Sequence, residues 1–313
     1  MISGFLIVTL LLRERMRTGA ISLRNFYIRR FLRIFPPYYL MLLIVGAAAF
    51  LKPGNTSAGI RHDLLYAAFY VSNLVPMHSM LAITWSLAVE EQFYLVVPMI
   101  EKHLGRGLSL LLPSVYLLVI LPTFGLLPEV NLPTFFRETT FGPILLGVML
   151  AHVLHDPRGF AWVNCVLGSR LAPVLALGLM VIAISHPTGD ISAWPRILIH
   201  WSFVILVASC VIRERHALQP VLSFWPMRRI GVVSYGIYLY HHIIRHFVIL
   251  VLTALDVSWQ VAYFIGTAAC TWIAAEISYR FYETRFLEMK SRFGAQRSDA
   301  PLDAGAVSAS QRT

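Results

Sequence analysis

Residues 35–51 read Phe35-Pro36-Pro37-Tyr38-Tyr39-Leu40-Met41-Leu42-Leu43-Ile44-Val45-Gly46-Ala47-Ala48-Ala49-Phe50-Leu51, with Arg33 just before and Lys52 directly after. As a helix this run is roughly 26 Å long, at about 1.5 Å per residue. The hydrocarbon core of a bilayer is about 30 Å thick, so the run reads as a membrane crossing. Similar runs stand near 81–100, 108–127, 140–154, 171–186, 196–212, 231–253 and 259–279. With 35–51 they make eight full spans. A ninth run, near 1–12, covers only about 18 Å and is a stub. Leu64–Val75 contains Ser72 and Asn73 and reads as an interfacial or re-entrant segment. The expected fold is all-α: a polytopic transmembrane helix bundle over residues 1–290, then a polar, disordered cytoplasmic tail over 291–313.

Composition agrees. Of the 313 residues, 57% are hydrophobic and 13% charged, where a soluble domain carries about 25% charge. The net charge of +10 does not point to nucleic acid, because no basic stretch falls into a recognisable reading module. Cytoplasmic loops meeting anionic lipid account for it. With residues 13–33 placed inside and the chain alternating, only Lys52, Arg61, Arg137 and Arg196 of the 26 Lys and Arg fall outside, and Arg245 falls within a span. That asymmetry is a strong positive-inside signal. It puts the C-terminus in the cytoplasm and the protein in the inner (plasma) membrane. Cys165, Cys210 and Cys270 are isolated and have no metal or redox spacing. No positive segment precedes residues 2–12 and no small-residue cleavage site follows them, so they do not read as a signal peptide.

Three constellations place polar groups where lipid penalises them. An ionised side chain at mid-bilayer costs roughly 2.5–3.5 kcal/mol on insertion scales. Such a group must pair, face a cavity or do chemistry. The first is Arg29-Arg30-Phe31-Leu32-Arg33-Ile34-Phe35-Pro36. Arg30 and Arg33 share a helix face and suit either a phosphate-bearing ligand or lipid head groups. The second lies in the span 81–100: Trp85-Ser86-Leu87-Ala88-Val89-Glu90-Glu91-Gln92-Phe93-Tyr94. Ser86, Glu90 and Tyr94 form one helix face, with Glu91 and Gln92 on neighbouring faces. They serve either a functional site or a hydrogen-bond cluster between helices. The third is Ser234-Tyr235-Gly236-Ile237-Tyr238-Leu239-Tyr240-His241-His242. Ser234, Tyr238, His241 and Arg245 make one stripe. His241 suits a base or a substrate hydrogen bond, or buried packing. His242 and His246 have metal-ligand spacing but no evident third ligand, so no metal is expected. His152, His155, His186, His200 and His216 are singles near span ends, read as structural.

These constellations, in this order and after Ser3-Gly4-Phe5-Leu6-Ile7, resemble the acyltransferase family 3 of membrane O-acyltransferases. The resemblance covers residues 1 to about 290. It implies transfer of an acyl group, usually acetyl, from cytoplasmic acyl-CoA to a carbohydrate acceptor such as a surface polysaccharide or lipid-linked glycan, with the lipid bilayer as the remaining partner. The family's Arg-x-x-Arg falls on Arg30 and Arg33 and implies acyl-donor binding there. Glu90 and His241 are the expected catalytic residues. Trp85, Ser86, Glu91, Tyr94, Ser234 and Tyr238 are expected along the acceptor path. Family members have ten spans, and about nine are present here. The expected first span carries an Arg and the histidine regarded as catalytic, so a misplaced start or a fragment is expected. Tyr282-Glu283-Thr284-Arg285 departs from the family's C-terminal motif, which has Pro after the Glu. No cofactor beyond the acyl-CoA co-substrate is expected. The alternatives are a transporter of a glycan or lipid-linked sugar, or a catalytically inactive remnant.

Overall fold

The computed structural model describes residues 1–51, 54–77, 80–121, 141–185 and 193–290, and every regular element among them is helical. The elements are α1 (Ile2–Thr18), α2 (Leu23–Leu51), α3 (Asn55–Ala68), α4 (Thr84–Leu104), α5 (Arg106–Ile120) and α6 (Phe141–His155). Then come α7 (Pro157–Leu167), α8 (Ala172–Ile184), α9 (Ala193–Ile212), α10 (Trp225–Ala254), α11 (Gln260–Ser278), a π turn at Tyr279–Glu283 and α12 (Thr284–Lys290). All nine expected spans coincide with helices.

Their lengths qualify the expectation of eight full crossings. Among the described residues, four helices are long and apolar enough to cross a bilayer: Leu23–Leu51, Pro195–Ile212, Trp225–Ala254 and the continuous Gln260–Met289. The pair α7 and α8 is bent by 76° and makes a fifth if it is one broken span. Helices α5 and α6 are apolar but only about 22 Å long. Helix α4 carries Glu90, Glu91, Glu101 and Lys102, which dilute its apolar character. Lys52, Arg137, His186, residues 122–127 of the expected span 108–127 and the tail from 291 lie outside the described residues.

Local chemistry sets the helix ends. Gly19 adopts a left-handed conformation (φ 75°) and its N–H donates to the Arg15 carbonyl at 2.8 Å, closing α1. The segment between 154 and 171 reads as a loop in the sequence, yet it forms α7. Asp156 caps it by accepting from the Gly159 N–H at 2.8 Å, with Pro157 in the first turn. Helix α3 ends before Tyr70, a non-glycine residue at φ 53°. Gln92 fixes that turn: its Nε2 donates to the Tyr70 carbonyl and to Asn73 Oδ1, both at 3.0 Å, and its Oε1 accepts from Asn73 Nδ2. The segment 70–74 is thereby tied to α4, as suits a re-entrant piece with irregular backbone.

Helices α1 and α6 cross backbone to backbone. A Cβ on Gly4 would stand 2.4 Å from the Ile144 carbonyl oxygen, and one on Gly147 would stand 2.1 Å from the Met1 carbonyl oxygen. Only glycine permits this approach, the small-residue packing that joins helices in lipid. The crossing brings Ser3 to α4.

Two apolar clusters result. One gathers Phe5, Ile7, Val8, Phe26, Val89, Phe93 and Ile144; the other gathers Tyr38, Met41, Leu87, Ala88, Val233, Leu239 and Ala275. Helices α2 and α4 contribute to both, so their polar residues lie along the seam. Elsewhere charge is consumed in pairs. Glu101 is fully buried, accepts from Arg15 Nη1 at 3.2 Å and lies 3.1 Å from His152 Nε2. Arg229 holds Glu276 with two hydrogen bonds, at 2.8 and 2.6 Å, joining α10 to α11, and Arg280 meets the same carboxylate.

Candidate functional site

The seam opens into a cavity of about 390 Å³. Its wall includes Arg30 and Arg33 of α2, Ser86, Glu90, Glu91 and Tyr94 of α4, and Ser234, Tyr235 and Tyr238 of α10. Three stretches separated by up to about 200 residues of chain thus converge. The volume lies in the range of small-molecule sites.

Glu90 is the most closely held group. Its Oε1 accepts from Ser3 Oγ and its Oε2 from the Tyr94 hydroxyl, both at 2.9 Å. Helix periodicity explains the second bond, since Glu90 and Tyr94 are one turn apart. The first depends on the Gly4–Gly147 crossing. Arg30 lies over two aromatic rings, 5.3 Å from the Tyr94 centroid and 5.8 Å from that of Phe26. Glu90, Glu91 and Arg33 are all within its electrostatic reach. Two carboxylates and a guanidinium therefore share one half-buried space.

Arg33 differs from Arg30. It is exposed and also lines a second cavity of about 490 Å³, with Arg228, Gly231, Val232, Tyr235, Tyr279, Glu283 and Leu287. Arg33 and Tyr235 belong to both walls, so the two spaces meet there. The Tyr235 hydroxyl donates to the Ile34 carbonyl at 3.1 Å and pins α10 to α2. Pro36 and Pro37 lack the N–H groups that would bond the Leu32 and Arg33 carbonyls within the helix. That leaves polar backbone beside the junction.

Ser86 and Tyr238 bound the opposite end of the inner cavity. Tyr238 hydroxyl meets Ser86 Oγ, and both reach the Ile83 carbonyl where α4 begins. His241 stands one turn further along α10, outside both walls. Its ring packs on Tyr238 and His242, and its Nδ1 pairs with the Tyr238 carbonyl. Trp85 is 38% exposed and is likewise absent from both walls. Among the described residues, no group of three or more His, Cys, Asp or Glu side chains stands together to hold a metal, so His242 and His246 gain no third ligand there.

Two further wall residues carry charge. Glu283 is 8% exposed, accepts from Ser278 Oγ at 3.0 Å and lies in the π turn. A π turn inserts a residue into the helical count, so no periodicity announces it. Arg228 belongs to the expected basic loop, and nothing in the spacing distinguishes it from Arg229.

A family model described as "Acyltransferase domain" matches residues 1–276. A Staphylococcus aureus (strain COL) protein provisionally named an O-acetyltransferase is 31% identical, over 91% of this chain and 51% of its own. The peptidoglycan O-acetyltransferase OatA of Listeria monocytogenes is 28% identical over 90% of this chain and 49% of its own. The O-acetyltransferase OatA of Staphylococcus aureus (strain NCTC 8325) is 29% identical over 90% and 50%. The chain spans about half the length of these curated relatives. No solved structure matches it.

Proposed function

The chain belongs to the acyltransferase domain family, and from that premise we propose that it is a membrane O-acyltransferase moving an acyl group, acetyl by the relatives' names, from acyl-CoA to a carbohydrate hydroxyl. The Listeria relative is named for peptidoglycan, and a cell-surface glycan is the acceptor class we assign. The observation that carries the reading is the pair of joined cavities, with cationic groups at one end and Glu90 at the other.

In this scheme the donor enters from the cytoplasmic face, where the positive-inside count puts Arg33 and Arg228. The thioester carbonyl reaches the inner cavity. The acceptor hydroxyl gives its proton to Glu90, or to a base that Glu90 orients, and its oxygen bonds to the carbonyl carbon. The C–S bond breaks and the thiolate leaves, taking up a proton. Arg30 stands where negative charge builds on the carbonyl oxygen, which is the role expected of a preorganised cation. We assign this step to Glu90 and not His241, because Glu90 lines the inner cavity and His241 lines neither wall.

The test is a kinetic separation using the full chain in proteoliposomes with acetyl-CoA and soluble cell-wall glycan fragments. Arg33→Ala is expected to raise the donor KM, and Glu90→Gln to lower kcat with donor binding intact. Equal activity of Glu90→Gln and wild type would sink the proposal. A transporter would move glycan without releasing CoA thiol.

A further inference from the structure

The outer cavity carries one arginine whose guanidinium no described residue pairs with. Glu283 lies within electrostatic reach of Arg33 and is turned inward: its Oε1 accepts from Ser278 and lies 3.6 Å from where a Gly236 Cβ would be. Arg229, the next residue along, is consumed by Glu276. Arg228 lines the same cavity as Arg33, yet its guanidinium makes no hydrogen bond or ion pair among the described residues. It sits in the first turn of α10, a helix of 30 residues, whose dipole adds positive potential at that end. Gly231, one turn on, has nothing within 4 Å of where its Cβ would stand, so the wall is open beside the guanidinium.

We infer that Arg33 and Arg228 form a two-arginine clamp for a multiply charged phosphate, and that its occupant is the phosphate-bearing end of CoA. The inference rests on the acyl-CoA reading and deepens it. Arg30, held over Tyr94 and Phe26, belongs to the reacting end, while Arg228 replaces it as the partner of Arg33 on the donor. Planar guanidinium forks suit phosphate oxygens. A span-end cation meeting a lipid head group offers the same chemistry, so the experiment must separate the two sources.

The full chain in phosphatidylcholine nanodiscs is tested for binding of CoA, 3′-dephospho-CoA and pantetheine by competition with labelled acetyl-CoA. Wild type is expected to rank them in that order. Arg228→Ala and Arg228→Gln are expected to weaken CoA by about tenfold or more and leave pantetheine unchanged, with size-exclusion profiles intact. Arg228→Lys is expected to fall between. CoA bound equally by wild type and Arg228→Ala overturns the clamp while leaving the acyl-CoA reading standing. So does a variant whose only defect is weaker retention of added phosphatidylglycerol. Wild type that binds no CoA overturns the acyl-CoA reading first, and the clamp with it.

Discussion

Replacing Tyr94 with Phe removes one oxygen and tests one contact. The ring stays, so its packing against Phe93 and its place under Arg30, 5.3 Å from the centroid, are kept. The cation–π contact, about 0.5–2 kcal/mol, therefore survives. What is lost is the 2.9 Å hydrogen bond from the hydroxyl to Glu90 Oε2, leaving Ser3 as the carboxylate's remaining donor among the described residues. A hydrogen bond to a charged group contributes about 1.5–3 kcal/mol. If that contribution acts in the transition state, kcat falls roughly 10- to 150-fold. The donor KM should hold, because the clamp residues are untouched. The assay is thiol release from acetyl-CoA in proteoliposomes, with glycan fragments present and absent. Tyr94→Ala should lose more, since the ring goes too. A Tyr94→Phe enzyme with wild-type kcat, or one that raises only the donor KM, would refute Glu90 as the group that handles the proton.

Further consequences concern packing and charge. Gly4→Ala drives a Cβ to 2.4 Å from the Ile144 carbonyl oxygen and should lower stability by about 1–3 kcal/mol, seen as earlier thermal unfolding in detergent, whereas Gly178→Ala meets nothing within 4 Å and should be neutral. Glu101→Gln weakens the pairing of a fully buried carboxylate with the part-exposed Arg15 and should cost about 1–3 kcal/mol of stability, with kcat per folded molecule preserved. His241→Ala should keep most activity, measured by the same thiol release; loss comparable to that of Glu90→Gln would return the base to His241.

Helix periodicity made part of the site legible. Ser86, Glu90 and Tyr94 share a face whatever the tertiary structure does, and all three line the inner cavity. Periodicity gives a face and not a depth. Ser234, Tyr238 and His241 share a stripe too, but only Ser234 and Tyr238 line the inner cavity. Arg30 and Arg33 share a face as well, yet only Arg33 reaches the outer cavity, because aromatic rings hold Arg30 at the inner one. Glu283 was legible only through the resemblance to the family's C-terminal motif, because the π turn breaks the helical count. The bundle followed from apolar runs, while α7 was passed over although Asp156-Pro157 carries an N-cap and first-turn proline. Gln92 has the polarity of a site residue and instead fixes the turn at Tyr70.

Thiol protection tests whether the joined cavities hold the donor. In a background with Cys165, Cys210 and Cys270 replaced by Ala, Ser86→Cys and Ser234→Cys place thiols on the inner wall, and Val221→Cys places one on the exposed segment between α9 and α10. A small water-soluble thiol reagent should label all three positions, and acetyl-CoA should slow labelling of the wall positions without changing Val221→Cys. Wall thiols that stay unlabelled, or that react at the same rate with acetyl-CoA present, would contradict a water-filled passage in which thioester and hydroxyl meet.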